Sequence, residues 1–485
     1  MVCRAKEVVR FIFECSRAME ESVAQLEPGK TENRDEALVR GKQLMRGNSL
    51  VVRFCMYGFL KNLKFFEPFL VAVLLKWNLT LTTVGALISV EKVTCYVMEI
   101  PSGYLSDRWG ARKTLCSCFV LYIISFVLYY FGQVNTAVLV CASFFYGLAE
   151  AMRSGAHKAM VFKWLERHDL LPLKSFLNGK TRSFSLLGSA TAAIGGIFLK
   201  IYLEADKTIF LCSIPPYLID LLVVASYPAY MDEGKTSGAK KKKSKARGIC
   251  NDARALLTVL KKPGPRRALA ASAGVGIMHR LFKDFIQPLV LQNGPILAAT
   301  FGDIPVSNSS ATVQGGEGDG SVPETVEAVI LGSFYCLFYL FAAPATRNAY
   351  RLPQLLCPKG TTELEKRTMD GLLDAYSLVL LLVGLFLVLS APVAGPILYI
   401  PVYVIYNFHK PLSHAAISDL AGKDLRATVF SANAALETLM VGILAPLLGF
   451  LADQLSLSTA FFVFPAVSIV LNRIFFAEWS LSTKR

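Results

Sequence analysis

A chain of 485 residues that is 53% hydrophobic, with a mean hydropathy of +0.45, has the balance of a membrane-embedded helical bundle rather than of a water-soluble domain. Its formal charge of +15 raises nucleic acid as a partner, but the charge is distributed for a bilayer: residues 231–267 hold twelve Lys/Arg and three acids, whereas residues 294–323 hold three acids and no Lys or Arg. Basic loops held on the cytoplasmic side produce that asymmetry, so a lipid bilayer is the expected partner and nucleic acid is not.

In chain order, residues 1–48 are mixed in charge and are expected to form a cytoplasmic tail without a signal peptide. Val8, Ile12, Cys15 and Met19 recur at helical spacing, so the tail is either a short amphipathic helix on the membrane surface or loosely ordered. Apolar segments of the roughly 20 residues needed to cross a bilayer then recur, and lipid allows such spans only as helices that satisfy their own backbone. Spans 1 to 6 are expected near 49–75, 82–105, 114–132, 136–157, 180–201 and 208–229. After the basic linker, spans 7 to 12 are expected near 267–292, 325–347, 371–390, 393–410, 426–451 and 457–477. The fold class is thus an all-α membrane protein of twelve transmembrane helices in two six-helix bundles. The bundles cover 49–230 and 267–477, with a cytoplasmic linker at 231–266 and a cytoplasmic tail at 478–485.

The loops this map puts in the cytoplasm carry Arg108, Arg112 and Lys113; Lys163, Arg167 and Lys174; Arg347 and Arg351; and Lys423 and Arg426. Two N-x-S/T sequons, at Asn78 and Asn308, fall on the opposite side and are glycosylation candidates, which points to a plasma membrane or endomembrane. The eleven cysteines form no CxxC pair and read as small buried residues. The halves echo each other: "LKFFEPFLV" in span 1 and "KDFIQPLVL" in span 7 each place a proline about two-thirds along. Internal repeats with proline-interrupted helices mark transporter folds whose binding sites lie between the repeats.

Between spans 2 and 3 stands "EIPSGYLSDRWGARKT", residues 99–114. Gly103, Leu105, Asp107, Arg108, Gly110, Arg112 and Lys113 resemble the signature that joins helices 2 and 3 in the major facilitator superfamily, with Ala111 displacing the usual basic spacing. "DLRATVFSANAALETLMVGILAPLLGFLAD" resembles helix 11 of the same group. The resemblance covers residues 49–477 and implies transport by alternating access, with helices 1, 4, 7 and 10 lining a central cavity. It further implies gating by Gly103, Asp107, Arg108, Gly110 and Arg112, with Asp107 docking on the free N-terminus of span 11 just after Asp424-Leu-Arg426. The drug/proton antiporter branch is disfavoured, because Ser143 stands where those members carry arginine and "GSATAAIGG" in span 5 lacks their proline. Gly188, Ala192 and Gly196 in that stretch form a small-residue stripe suited to close helix packing.

An ionisable residue at mid-span costs about 2.5–3.5 kcal/mol on insertion scales, so it normally faces an interior. Span 1 offers Lys61, Asn62, Lys64 and Glu67; span 4 offers Glu150 and Arg153, with His157 beyond; span 7 offers Arg280, Lys283 and Asp284. Tyr403, Tyr406 and Asn407 of span 10 add aromatic faces and hydrogen bonds. These are the substrate-binding candidates, against the alternative that Lys64 with Glu67 and Glu150 with Arg153 are structural ion pairs. Asp220 and Glu437 are read as packing or gating groups. Lys64, Arg280 and Lys283 favour a solute with an anionic group, and Glu67 or Asp284 is the candidate for proton exchange. No hydrolase triad, nucleotide-binding loop or metal cluster is present in the sequence, so no enzyme activity, cofactor or metal is expected. The expected function is secondary active transport of a small polar or charged organic solute by a monomer, with or without proton coupling. The alternative is a non-transporting receptor or scaffold of the same fold.

Overall fold

A computed structural model describes residues 48–153, 156–168, 170, 174–203, 206–231, 263–292, 324–348, 362–389 and 394–482. The stretch from Val8 to Met19, nearly all of the basic linker and the Asn308 sequon lie outside the described residues, as does the side chain of Asp107. Within the described residues the chain is helical, with no strand.

Span 1 is α1 (Ser49–Leu60), a single 3-10 turn (Glu67–Phe69) and α2 (Leu70–Lys76). Spans 2 and 3 are α3 (Leu81–Trp109) and α4 (Ala111–Phe131); span 4 is α5 (Thr136–Arg153), followed by α6 (Ala156–Arg167). Span 5 is α7 (Lys174–Leu203), and span 6 is α8 (Thr208–Cys212) with α9 (Ile214–Ala225). The second half comprises α10 (Pro263–Gln292), α11 (Glu324–Asn348), α12 (Thr362–Val388), α13 (Ala394–Gln454) and α14 (Leu457–Ser482). Among the described residues, eight helical stretches are long and apolar enough to cross a membrane by length and composition. Spans 1, 7, 10 and 12 stand outside that group; span 1 is broken into short pieces, and span 7 carries Arg280, Lys283 and Asp284 at mid-span.

Two expectations about helix boundaries are corrected. Span 1 is not continuous. Pro68 has no N–H to continue a helix and its ring clashes with the carbonyl four residues back, while the Asn62 amide turns inward onto the Gly58 carbonyl at 2.6 Å and helps end α1. Spans 10 and 11 are not separated by a loop either, because the backbone is helical from Ala394 through Gln454. The segment between them, "LSHAAISDLAGKDLRA", contains no proline and is rich in good helix formers, so its charges did not imply a break. The helix nevertheless doubles back. Tyr406 stacks on His279 while Glu437 pairs with Arg280, its neighbour on α10. A straight helix would hold Tyr406 and Glu437 about 46 Å apart at 1.5 Å per residue, too far for both contacts. The free helix start expected after Asp424-Leu-Arg426 is therefore absent, and with it the proposed berth for Asp107 in this conformation.

The first-half helices pack among themselves, as do the second-half helices; the two broadest seams between them are α3 against α13 and α7 against α11, and the 3-10 turn and α2 of span 1 also meet α10 and α11. Toward Asn78 the first seam is closed. A Cβ at Gly449 would stand 2.2 Å from the Leu81 carbonyl oxygen, and one at Gly85 would stand 2.3 Å from that of Ala445. Asp453, near the end of α13, accepts hydrogen bonds from the Leu81 and Thr82 amides at 3.0 and 2.7 Å and from the Thr82 hydroxyl at 2.6 Å, capping α3 from the opposite half. Lys76 of the first half meets Glu327 of the second at 3.1 Å. Toward Asp107 the seam loosens: Ile100 is 80% exposed, Tyr104 and Trp109 are exposed, and a Cβ on Gly103 would meet nothing within 4 Å. Gly103 therefore makes no close helix contact in this conformation. Gly110 makes a tight turn, joining α3 to α4 as a single residue at φ 98°, which a side chain would strain.

Because the closed seam leaves no room for a β-carbon at Gly449, the Gly449→Ala variant loses about 1–3 kcal/mol of stability. Thermal unfolding in detergent micelles reads this as a lowered midpoint, and Gly103→Ala, which meets open space, shows no such drop.

Candidate functional site

The interruption of span 1 and the charges of span 7 meet. Glu67, on the 3-10 turn, pairs with Lys64 at 3.3 Å and with Lys283 of α10, so one carboxylate bridges two lysines and joins the two halves of the molecule. Lys64 also donates to the Tyr146 hydroxyl at 2.6 Å. Behind this bridge lies Gln287, fully buried on α10. Its carbonyl accepts from the Val71 and Ala72 amides at 2.8 and 3.3 Å, at the start of α2. Its amide group donates to the Glu67 carbonyl at 3.0 Å and to the Tyr335 hydroxyl at 3.1 Å. Tyr335 in turn donates to the Lys283 carbonyl at 2.8 Å. The Glu67-Pro68 and Gln287-Pro288 dipeptides of the internal echo thus stand against each other.

Around this core several further charges are paired. Glu150 and Arg153 form an ion pair on α5, and the Tyr122 hydroxyl joins both, donating to Glu150 at 2.6 Å and accepting from Arg153 at 3.1 Å. Glu91 and Lys92 pair on α3. One turn from Lys283, Arg280 pairs with Glu437 of α13 at 2.9 Å and reaches the Thr438 hydroxyl at 3.3 Å; Glu437 also accepts from the Asn433 amide at 2.6 Å. Asp284 differs from them all. It makes no hydrogen bond or ion pair with any described residue, although Lys283, Lys92, Lys64 and Glu67 lie within electrostatic reach. Lys64, Lys92, Arg153 and Lys283 against Glu67, Glu91, Glu150 and Asp284 give a formal sum of zero. The pairs are not sealed off: the Glu67 and Arg280 side chains are 28% and 35% exposed.

The expected residues therefore divide. Lys64, Glu67, Lys283 and Asp284 come together, with Glu150 and Arg153 beside them, and the structural-pair reading of Lys64–Glu67 and Glu150–Arg153 describes what is seen. The three cations expected to meet an anion are not free, since Lys64, Lys283 and Arg280 each have an acidic partner. Asn62 serves α1, and Asn407 is buried, donating to the Tyr403 carbonyl at 2.9 Å and accepting from Thr346 at 3.2 Å. Tyr403 stacks on Phe338 with ring centres 5.0 Å apart. Among the gating candidates, Arg108 is exposed, while Arg112 donates to the Tyr227 carbonyl at 2.8 Å and ties α4 to the end of span 6. Asn78 is exposed with φ 59°. Gln287, Tyr146, Tyr122, Glu91 and Lys92 were missed. The adjacent charges of Glu91 and Lys92 inside span 2 were a readable signal, and Gln287 was already aligned with Glu67 in the echo.

The fold and the site define a polytopic helical membrane protein whose two halves meet across a buried, charge-balanced junction at an interrupted helix. The Major Facilitator Superfamily pattern matches residues 50–409, and the chain belongs to that family. Among solved structures it resembles the nucleoside transporter NupG at 13% identity and a TM-score of 0.63, covering 89% of this chain and 99% of that one. It also resembles a D-xylose-proton symporter at 11% identity and a TM-score of 0.59, covering 90% and 97% of the two chains. No curated protein matches by sequence.

Gln287→Leu leaves the Val71 and Ala72 amides without an acceptor, at a cost of about 1–3 kcal/mol for each, and thermal unfolding checks the loss. Glu67→Gln, which leaves two lysines unmatched, destabilises by about 3–5 kcal/mol. Adding Lys283→Met to that variant recovers part of the loss, so the double-mutant cycle shows a clear coupling energy between the two positions.

Proposed function

We propose that this chain is a secondary active transporter that moves a small polar or charged organic solute by alternating access, with a proton exchanged at Asp284. The observation that carries the reading is the junction of Glu67, Lys283 and Gln287 between the two halves, at a point where an inert scaffold has no need for charge. Each cation there already has an acidic partner, so an incoming solute does not meet bare charge; it competes for partners within the pairs. Among the described residues of the central group, Asp284 is the acid without such a partner. Protonating it changes the formal sum of the central group from zero to plus one, which couples occupancy by a proton to affinity for an anionic or electron-rich group on the solute. Glu67, clamped by two lysines, is poorly suited to that role.

The Asp107 end faces the cytoplasm in this reading, because Arg108, Arg112 and Lys113 lie there and the termini follow the same side. The conformation closed toward Asn78 is then open inward, in a plasma membrane or endomembrane. Gating is assigned to α3: Asp453 and the Gly85–Gly449 contact hold one end, and the segment around Asp107, Arg108 and Gly110 closes the other.

The test is uptake by proteoliposomes of purified protein, with and without an imposed pH gradient. The solute panel begins with nucleosides and pentoses, the solutes named for the two similar structures, and extends to organic anions and cations. Accumulation that follows the pH gradient is expected. Asp284→Asn abolishes that accumulation while exchange of solute for solute continues within about threefold of wild type. Flux of no solute under either condition would favour the receptor or scaffold, and unchanged proton dependence in Asp284→Asn would remove Asp284 from the coupling.

A further inference from the structure

Asp220 belongs to α9 and takes no part in the central group. It is fully buried, and neither carboxylate oxygen has a hydrogen-bond partner among the described residues. The other acids near the core differ: Glu67, Glu91, Glu150 and Glu437 all have cationic partners, and Asp284 is only half-buried. An ionised carboxylate has several lone-pair sites to satisfy, and a low-dielectric interior penalises it when no donor is present. The neutral acid escapes most of that penalty.

Within electrostatic reach of Asp220 lie Tyr57 of α1, Cys118 of α4, Arg153 of α5, Tyr227 just after α9, and Lys61 at the end of α1. Tyr217, one turn before Asp220 on α9, donates to the Lys61 carbonyl at 2.7 Å and holds that helix end against α9. His157 of α6 stacks on Tyr57 behind them. Arg153 is committed to Glu150 and Tyr122. Lys61 is differently placed. Its ammonium lies over the Tyr57 ring, 5.0 Å from the ring centre, and it makes no ion pair with any described residue. Lys61 is also the residue that caps α1, immediately before the interruption, so its position follows the geometry of that break.

We propose that Asp220 is a second proton-binding site, distinct from Asp284, which holds its proton in the conformation described and releases it when Lys61 moves from the Tyr57 ring onto the carboxylate. In that step the Asp220 O–H bond breaks, the proton passes to solvent water admitted as the helices shift, and an ammonium–carboxylate pair replaces the cation–ring contact. Rebinding of a proton frees Lys61 to return. A movement of the interrupted helix is thereby tied to the charge of a residue on a neighbouring helix. The site is read without any transported solute, so its success or failure is separate from that of the transport reading.

Infrared spectroscopy of the protein in lipid bilayers, with and without carbon-13 in every aspartate, tests this. At pH 7 a solvated aspartate, with a pKa of about 3.9, is fully ionised. Wild type is expected to show an isotope-sensitive carboxylic-acid stretch at that pH, which persists in Asp284→Asn and vanishes when Asp220→Asn is added to that variant. If Asp220→Asn does not fold, the labelled wild type and Asp284→Asn still decide the matter, because absence of the band in either overturns the proposal. A band that survives undiminished in a folded Asp220→Asn, Asp284→Asn double variant overturns it as well. In Lys61→Met the band survives to a pH at least one unit higher than in wild type; an unchanged midpoint would overturn the exchange with Lys61.

Discussion

Gln287 fills the gap that Pro68 opens. A helix interrupted within a membrane leaves amide and carbonyl groups that lipid cannot satisfy, each at a cost of several kcal/mol. The interruption in span 1 persists because a side chain from the other half supplies what is missing, accepting from the Val71 and Ala72 amides while donating to the Glu67 carbonyl. The contact is therefore structural and relational together. It satisfies the backbone of the first half only while the second half stands in register, and it fixes the 3-10 turn from which Glu67 reaches both lysines.

Magnitudes explain why the charges around it are paired. Eight unmatched ionisable groups at about 3 kcal/mol each would exceed the whole stability of an ordinary domain, about 5–15 kcal/mol. Pairing is thus a condition for the fold to exist, and the central group is arranged as overlapping pairs that can trade partners. Glu67 shared between Lys64 and Lys283 is the plainest instance. A pair that is exchanged rather than broken avoids exposing a bare charge in low dielectric, where a lost partner costs about 3–5 kcal/mol.

Much of this architecture was legible in the sequence because its causes are local. Span positions follow from apolar runs, and the turn at Gly110 follows from a glycine between two helices. The echo between "LKFFEPFLV" and "KDFIQPLVL" even placed Glu67 beside Gln287 in alignment, though nothing in the strings said that the two would touch. What stayed hidden depends on contacts between distant segments. Whether Lys64, Arg280 and Lys283 are free or matched is decided by Glu67 and Glu437, and the latter lies more than 150 residues from its arginine. The fold-back within α13 was obscured for another reason: helix-forming residues carry the helical backbone through the point where a loop was expected. Asp453 was invisible because its partners are backbone amides, which have no letter in a sequence.

That last residue says something about rate. Asp453 holds the ends of α3 and α13 together through amides at an exposed helix terminus and through a hydroxyl, all of which water can serve almost as well. When this end parts, the donors and the carboxylate are rehydrated at once, and no group is stranded in a dry environment on the way. The clasp is therefore a poor store of energy but a quick one to undo. The slow step of any opening would lie elsewhere, in the sliding apart of the glycine-lined backbones at Gly85 and Gly449, where water has no room to enter first.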